Sequence, residues 1–341
     1  LKPTISLSIS TLALKRALAI AAAVWRARDL VHTPANIKTP AWMAANAKAV
    51  AKERNISIKV LAGKELALFG GLAAVGNSSR KSPPRFIEIT YAPKGSSNWP
   101  HVVLVGKGIT FDTGGYSMKR PYDTMMAMKS DMAGAAAALG AIASIAALKI
   151  PIHVVAAVGL VENMTGGNAY KLGDVVTARS GTTIEIHNTD AEGRVVLADV
   201  LDVVADLKPS CIIDAATLTG ACMVALGRDI AGIFTNNQAY CDVLENAATS
   251  VGERVWQLPM DKDFDSQIFS DVADIKNVGD GRLGGAITAA KLLERFVRNI
   301  PWIHVDIAGP AFADKPRPSI AGGGTGSMVR SFIEFAKRIA S

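Results

Sequence analysis

The alternation of two kinds of long apolar segment most constrains how this chain can fold. Residues 150–163 (IPIHVVAAVGLVEN) form an almost continuous apolar run typical of a strand, whereas residues 132–149 (MAGAAAALGAIASIAALK) form an Ala-rich helical pattern without a hydrophilic face. Such a strand needs cover on both faces, and such a helix needs burial all round. Strands and helices alternate along almost the whole chain, which predicts an α/β fold: a three-layer α/β/α arrangement with a mostly parallel central sheet.

Shorter patterns predict the remaining elements. Thr39 and Pro40 suit the N-cap and the first position of a helix that runs to about Arg54. A hairpin is predicted over residues 174–188 around Ser180-Gly181, because turn-forming residues separate two short apolar segments. Further helices are predicted over 11–30, 240–252, 286–298 and 327–340. Further strands are predicted over 56–61, 85–93, 101–108, 227–236 and 302–309, and a buried strand that runs into a turn over 211–220.

Composition excludes several classes of protein. Hydrophobic residues make up 49% of the 341, so the chain can bury a substantial core and is not disordered. The net charge of +7 comes from scattered Lys and Arg residues, which favours a solvated surface over a nucleic-acid-binding face. Three cysteines without a CxxC pair argue against a disulfide framework or a thiolate zinc site and fit a reducing cytoplasm. No apolar run reaches about 18–20 residues, and no signal peptide is evident, so we expect no membrane span.

Polar residues follow three of the predicted strands and turns. Ligands of such a sheet bind beyond the carboxyl ends of its strands, so these side chains are candidates for one site. Four buried carboxylates need cations to neutralise them, and two divalent ions are a recurrent arrangement for hydrolysis. The three clusters are Lys107, Asp112 and Lys119; Asp131; and Asp190, Glu192 and Arg194.

Each of these features also has a simpler interpretation. Asp190 and Glu192 suit the N-terminus of the following helix, where the helix dipole favours anions. Lys107 in GKG is suited to a phosphate contact, although the spacing is not that of a Walker A loop. The run AGGGTG at 321–326 is suited to anion binding or to a plain turn. The histidines are scattered and are interpreted as structural, so oxygen ligands would leave zinc, manganese, magnesium or cobalt open.

Several blocks of the sequence together resemble the catalytic domain of the leucyl aminopeptidase (cytosol aminopeptidase) family. The resemblance extends from about residue 26 to the C-terminus, and by this resemblance we expect the family's usual N-terminal domain to be absent from this chain. It implies a catalytic metallo-aminopeptidase domain over residues 26–341, preceded by a linker helix over residues 1–25. The matching blocks are NTDAEGR, VGKGITFDTGG, MKSDMAGAAA, GLVENMTGGNAYKLGDVV, DAATLTGA and ARDLVHTPAN.

The resemblance also implies a reaction: removal of N-terminal amino acids, with Leu, Met and other apolar residues preferred, by attack of a metal-bridging hydroxide. Lys119 would stabilise the gem-diolate, and Arg194 would hold a bicarbonate that acts as general base. Two divalent ions per subunit are implied, Mn²⁺ or Zn²⁺, with Mg²⁺ or Co²⁺ as alternatives. The implied metal ligands are Lys107, Asp112, Asp131, Asp190 and Glu192, and the implied substrate-binding residues are Met128, Asn188, Thr217, Gly220 and Ala321.

By the same resemblance we expect peptide substrates, a homohexamer, a cytoplasmic location and no membrane association. Two alternatives remain open. The basic charge leaves room for nucleic-acid binding in addition to catalysis, and a catalytically dead scaffold would keep the fold without the activity.

Overall fold

The computed structural model of the chain describes residues 10–281, 283–316 and 322–341. The helices of these ranges are α1 (Thr11–His32), α2 (Pro40–Arg54), α3 (Gly70–Gly76), α4 (Asp123–Met126), α5 (Ala133–Ala147), α6 (Glu192–Ala205), α7 (Gly220–Leu226), α8 (Gln238–Ser250), α9 (Gly285–Glu294) and α10 (Val329–Ile339). Short 3-10 helices span Gly63–Leu66, Ser96–Asn98, Met128–Ser130 and Lys262–Ile268. The strands are β1 (Ser57–Ala62), β2 (Arg85–Tyr91), β3 (His101–Asp112), β4 (His153–Asn163), β5 (Val175–Thr177), β6 (Thr183–Glu185), β7 (Cys211–Ala216), β8 (Ile230–Thr235), β9 (Arg254–Gln257), β10 (Ile275–Lys276), β11 (Trp302–Asp306), β12 (Phe312–Ala313) and β13 (Gly323–Gly324).

The central sheet of the described chain has eight strands in the order β1-β2-β4-β3-β7-β11-β8-β9. Its four middle strands, β4, β3, β7 and β11, are parallel to one another, and β8 is parallel to β9. The antiparallel contacts are β1 with β2, β2 with β4, and β11 with β8. The predicted mostly parallel sheet is therefore confirmed, and its parallel middle is the part that carries the polar residues.

Apolar side chains of the central strands point alternately to two separate cores. Val102 and Leu104 of β3 contribute to the core that contains α1, α2, α5, α8 and α10. Val103 and Val105 contribute to the other core, which contains α3, α6 and α9. Because side chains alternate across a strand, one sheet supplies both cores, and the three-layer α/β/α prediction is confirmed.

The Ala-rich helix α5 lies in the middle of one core, as its sequence predicts. The segment Met128–Ala147 is 20 residues long with a mean hydropathy of 1.4, so by length and composition alone it would pass as a membrane span. Within the protein, 89% of its apolar window is buried against the sheet and neighbouring helices. It is therefore the core helix of a folded domain.

Helix and hairpin boundaries mostly follow the local signals. The Thr39 hydroxyl accepts a hydrogen bond from the Trp42 backbone amide at 3.2 Å and caps α2, and β5 and β6 form the predicted antiparallel hairpin. The helix predicted over 286–298 ends earlier, at Glu294, because the next residues form i→i−3 turn bonds, such as that from the Phe296 amide to the Leu293 carbonyl. Arg298 and Asn299 then have left-handed φ values of 49° and 61° before β11 begins. Helix α1 is continuous across residues 25 and 26, so the linker boundary given there stays a prediction.

Candidate metal centre

The carboxyl ends of the parallel strands bring three separate segments together. Asp112 is the last residue of β3, Asp131 precedes α5, and Glu192 is the first residue of α6. All three carboxylates are buried, and one oxygen of each lies within 4.8 Å of the others. Since these residues are up to 80 positions apart in the chain, only the folded sheet places them side by side.

Lys107 extends from β3 into the middle of this cluster. Its Nζ lies 2.8 Å from Asp131 Oδ1 and 2.8 Å from Glu192 Oε1. It also donates a hydrogen bond of 2.8 Å to the backbone carbonyl of Thr217. The lysine amine therefore contacts two of the three buried carboxylates directly.

A glycine on α6 leaves room for the Lys107 side chain. A Cβ added at Gly193 would lie 2.5 Å from Lys107 Cε and 2.8 Å from Nζ, closer than real Cβ contacts allow. The glycine of NTDAEGR therefore has a steric reason at this position, because only a residue without a side chain lets the lysine approach α6.

Lys119 approaches the same cluster from the other side. Its Nζ lies 2.7 Å from Asp112 Oδ2 and 2.5 Å from Asp190 Oδ1. Asp190 is the more open of these carboxylates, with 31% of its side chain exposed against 1% for Asp112. Lys119 thus lies at the solvent-facing edge of the cluster.

The charge balance of the cluster tests whether cations fit it. Four carboxylates against two ammonium groups leave a formal charge of −2 in a mostly buried space. In addition, Asp131 Oδ2 and Glu192 Oε2 are buried without a hydrogen-bond partner among the described residues. Buried anions are stable only when they are compensated, so oxygens of this kind suit hard divalent cations.

Burial and mutual repulsion shift the pKa values of the cluster. Burial raises the pKa of Asp190 to about 7, and the negative charges of Glu192 and Asp112 act in the same direction. Burial also raises the pKa of Asp131, although Lys107 opposes the shift. For Lys107, burial lowers the pKa, but the charges of Asp131, Glu192 and Asp112 outweigh it and the net direction is upward. The protein's own cations therefore leave the carboxylates only partly neutralised.

Asn163, at the end of β4, supports the cluster from behind. Its amide Nδ2 donates to Asp112 Oδ1 at 2.8 Å and to the Thr189 backbone carbonyl at 3.0 Å. The Thr189 hydroxyl accepts a 2.7 Å hydrogen bond from the Ser117 amide, which ties the Lys119 loop to the Asp190 loop. The sequence analysis did not single out Asn163, although a polar residue at the end of an apolar strand is the signal that identified its neighbours.

Arg194 lies on the first turn of α6 and is buried. Its Nη1 donates a 2.9 Å hydrogen bond to the backbone carbonyl of Asn277, and its Nε has no partner among the described residues. Burial lowers the pKa of the guanidinium to about 10, while the nearby Glu192 and Asp306 charges oppose that shift. A buried guanidinium with an unpaired N–H can donate to a small anion.

The residues predicted to bind substrate are in part brought to the same place. Thr217 donates a 2.7 Å hydrogen bond from its hydroxyl to Asp131 Oδ1, and Met128 begins the 3-10 turn that leads to Asp131. The Asn188 side-chain oxygen accepts a 2.8 Å hydrogen bond from the Asp190 amide, and Gly220, the first residue of α7, has open space on its side-chain side. Ala321 lies outside the described residues.

Fold and site together define the chain as an α/β protein with a buried carboxylate and lysine cluster at the carboxyl edge of a parallel sheet. Its residues 25–333 match the model of the "Cytosol aminopeptidase family, catalytic domain". The chain belongs to this family, as the sequence motifs predicted.

Individual relatives agree with this assignment. A "Probable cytosol aminopeptidase" of Rhodopirellula baltica is 53% identical over 310 residues, covering 90% of this chain and 60% of the relative. One of Aquifex aeolicus is 48% identical over 319 residues, covering 92% of this chain and 64% of the relative. The chain spans 60% to 65% of the length of such curated relatives.

Solved structures share the fold over nearly all of this chain. "Bottromycin maturation enzyme BotP in complex with Mn" superposes with a TM-score of 0.93 at 40% identity, covering 99% of this chain and 74% of that chain. The cytosol aminopeptidase from Coxiella burnetii has a TM-score of 0.91 at 37% identity, covering 96% of this chain and 71% of that chain.

Proposed function

We propose that this protein is a metal-dependent aminopeptidase that removes N-terminal amino acids from peptides, with Leu, Met and other apolar residues preferred. The observation that carries the proposal is the convergence of Lys107, Asp112, Asp131, Asp190 and Glu192 on one buried cluster with Lys119 at its open edge. Membership of the cytosol aminopeptidase family supports the same reaction.

The five ligand-type residues would hold two divalent ions, Mn²⁺ or Zn²⁺. The related protein solved with Mn supports manganese as one candidate. When bound, such ions supply Lewis acidity and lower the pKa of a bound water. The unpartnered oxygens of Asp131 and Glu192 are the positions from which the protein would offer additional ligand atoms.

The remaining polar residues have roles that do not require contact with metal. Lys119, at the open edge of the cluster, would place a positive charge beside the scissile carbonyl and stabilise the gem-diolate. Arg194 would hold bicarbonate through its unpaired N–H, and that anion would accept a proton as general base. Met128, Asn188, Thr217 and Gly220 would line the pocket for the first residue of the substrate.

The deciding experiment measures hydrolysis of leucine p-nitroanilide by protein stripped with a chelator and then given Mn²⁺ or Zn²⁺. We expect activity only with metal, and its loss in Glu192→Gln and Glu192→Ala, because each removes a ligand oxygen from the buried cluster. Glu65→Gln is the matched control, since Glu65 is exposed and caps a surface turn. Metal-loaded, folded wild type without activity on any N-terminal apolar residue would overturn the proposal and favour a scaffold.

We also propose that the protein is a cytoplasmic homohexamer. The name shared by its relatives supports the location, and the family resemblance supports the assembly. Native mass measured by light scattering on wild type and on Glu192→Gln is expected to be six times that of one chain. A monomeric mass would contradict the assembly and leave the proposed reaction to its own test.

A further inference from the structure

Asn277 lies directly after β10 and is fully buried, although no step of the proposed reaction uses it. Strand β10 runs parallel to β6, and β6 leads into the turn that carries Asp190. The Asn277 backbone amide continues that pairing with a 2.9 Å hydrogen bond to the Glu185 carbonyl. Main-chain contacts alone therefore hold the residue beside the turn, independently of the hydrogen bonds that its side chain makes.

The Asn277 side chain contacts both ends of the Asp190 turn. Its Oδ1 accepts hydrogen bonds from the backbone amides of His187 at 2.9 Å and Asn188 at 3.2 Å. Its Nδ2 donates to the backbone carbonyls of Asn188 at 2.6 Å and Ala191 at 3.4 Å. Since the amide is used on both its donor and its acceptor side, the residue fixes the turn from position 187 to position 191.

The main-chain carbonyl of Asn277 contacts the other functional group. It accepts the 2.9 Å hydrogen bond that Arg194 Nη1 donates. One residue therefore contacts the turn that presents Asp190 through its side chain and Arg194 through its backbone.

We propose that Asn277 is a positioning residue that holds the Asp190 turn and the Arg194 guanidinium at a fixed separation. This inference rests on the proposed function, because the separation matters only if both groups take part in one reaction. Residues around a metal site that orient its ligands commonly affect metal affinity and turnover by about 10–100-fold. Misplacement of reacting groups by about 1 Å can reduce rates by about 100-fold.

The amide chemistry distinguishes this role from simple packing. Aspartate has the same shape as asparagine, but its second oxygen would face the Asn188 carbonyl at the position of the present 2.6 Å hydrogen bond. Two acceptors at that distance repel each other, and the His187 and Asn188 amides, which would still donate to the other oxygen, do not offset the cost of burying a charge. Asn277→Asp should therefore be more harmful than Asn277→Ser, which is smaller but uncharged.

The test compares Asn277→Ser and Asn277→Asp with wild type in two measurements: kcat and KM on leucine p-nitroanilide, and Mn²⁺ affinity by calorimetric titration without substrate. We expect kcat to fall by about 10–100-fold in the serine variant, by more in the aspartate variant, and by a larger factor than KM changes. We expect Mn²⁺ affinity to fall by about 10-fold or more.

Asn236→Ser is the matched control. Asn236 also bridges main-chain groups, accepting from the Trp302 amide at 2.8 Å and donating to the Ile300 carbonyl at 3.0 Å, but it contacts no residue of the cluster. Its kcat and Mn²⁺ affinity should remain at wild-type values. Unchanged kcat and Mn²⁺ affinity in folded Asn277→Ser would overturn the inference, whereas an inactive wild type would instead overturn the proposed function.

Hydrogen exchange gives a second measurement if the variants at position 277 do not fold. In wild type, the backbone amides of His187 and Asn188 should exchange slowly, because both donate to the Asn277 side chain. Exchange at the rate of an exposed loop would show that this side chain does not hold the turn, and would overturn the inference.

Discussion

At Gly193, a single added methyl group should reduce activity without unfolding the protein. In Gly193→Ala the new Cβ would meet Lys107 Cε at 2.5 Å, so the lysine must move away from Asp131 and Glu192. Alanine favours a helix over glycine by about 1 kcal/mol, so the loss should not come from unfolding of α6. We expect kcat/KM for leucine p-nitroanilide to fall by about 10-fold or more.

The matched control is Gly167→Ala, since a Cβ added at Gly167 meets no atom within 4 Å. Its activity should equal that of wild type. A Gly193→Ala enzyme as active as this control would show that Lys107 can shift without consequence.

The stacked pair His101 and His153 should make the protein sensitive to acid. Their rings lie 4.0 Å apart and 5° from parallel at the amino ends of β3 and β4, far along the strands from the metal centre. Burial lowers the pKa of His101 to about 4, with a further contribution from His153, whose own pKa is also lowered by burial. The folded state therefore favours the neutral rings, and this stability is present above pH 6.5 and is lost as the pH falls from about 6.5 towards 4.

We expect the free energy of unfolding, measured by urea titration, to decrease across that pH range. In His101→Gln the decrease should be smaller by about 1–2 kcal/mol, after allowance for the solvent access of the ring. An identical pH dependence in the variant and in wild type would contradict this prediction.

At the scale of single residues, charged side chains near the ends of apolar strands were predictable from the sequence, whereas the role of Asn277 was not. Lys107 and Asp112 were identified because charged residues are rare in and beside apolar strands, and Asp131 because it precedes a buried apolar helix. Asn277 carries no such signal, since its importance comes from a contact with a turn 86 to 90 positions away. The contact between Asn277 and this turn exists only because β10 pairs with β6 in the folded protein, and no local sequence pattern predicts that pairing.

Among the elements, α2 offers a test of a local signal. The Thr39 hydroxyl accepts from the Trp42 amide at the start of this helix. Thr39→Ala should lower the free energy of unfolding by about 1 kcal/mol, whereas Thr39→Ser keeps the hydroxyl and should have a smaller effect. Denaturant titration of both variants checks this, and equal loss in the two would show that the hydroxyl does not stabilise the helix.

Long elements with a strong apolar pattern were predictable, whereas short ones were not. Strand β4 has 11 residues and a continuous apolar interior from Val154 to Val161, which is enough to predict a buried strand. Strand β9 has four residues, two of them exposed, and was not predicted because its pairing with β8 is what makes it a strand. The direction of β8 against β11 likewise depends on the chain's path and not on its pattern.

For the whole molecule, divalent ions should act as a stabilising ligand. The cluster has a formal charge of −2 with unpartnered buried oxygens, so cations that bind there favour the folded state. Binding at a hundredfold excess over Kd adds about 2.7 kcal/mol to the free energy of unfolding. We expect Tm to fall when the protein is treated with a chelator and to rise again with Mn²⁺.

The same thermal measurement on Glu192→Gln provides the control. The variant lacks one ligand oxygen, so its Tm should respond less to Mn²⁺ than that of wild type. An equal response in the two proteins would place the stabilising ions elsewhere on the molecule.

The parallel pairing of β3 with β4 and β7 has a consequence for how the chain acquires its chemistry. Parallel neighbours cannot be joined by a tight turn, so β3 meets β4 and β7 only after long stretches of chain have been ordered. Contacts of this kind form slowly, because the chain loses the entropy of loop closure before the contacts contribute any stabilising free energy. The proposed metal site therefore needs the completed sheet, so during refolding the binding of Mn²⁺ should return after helical structure does.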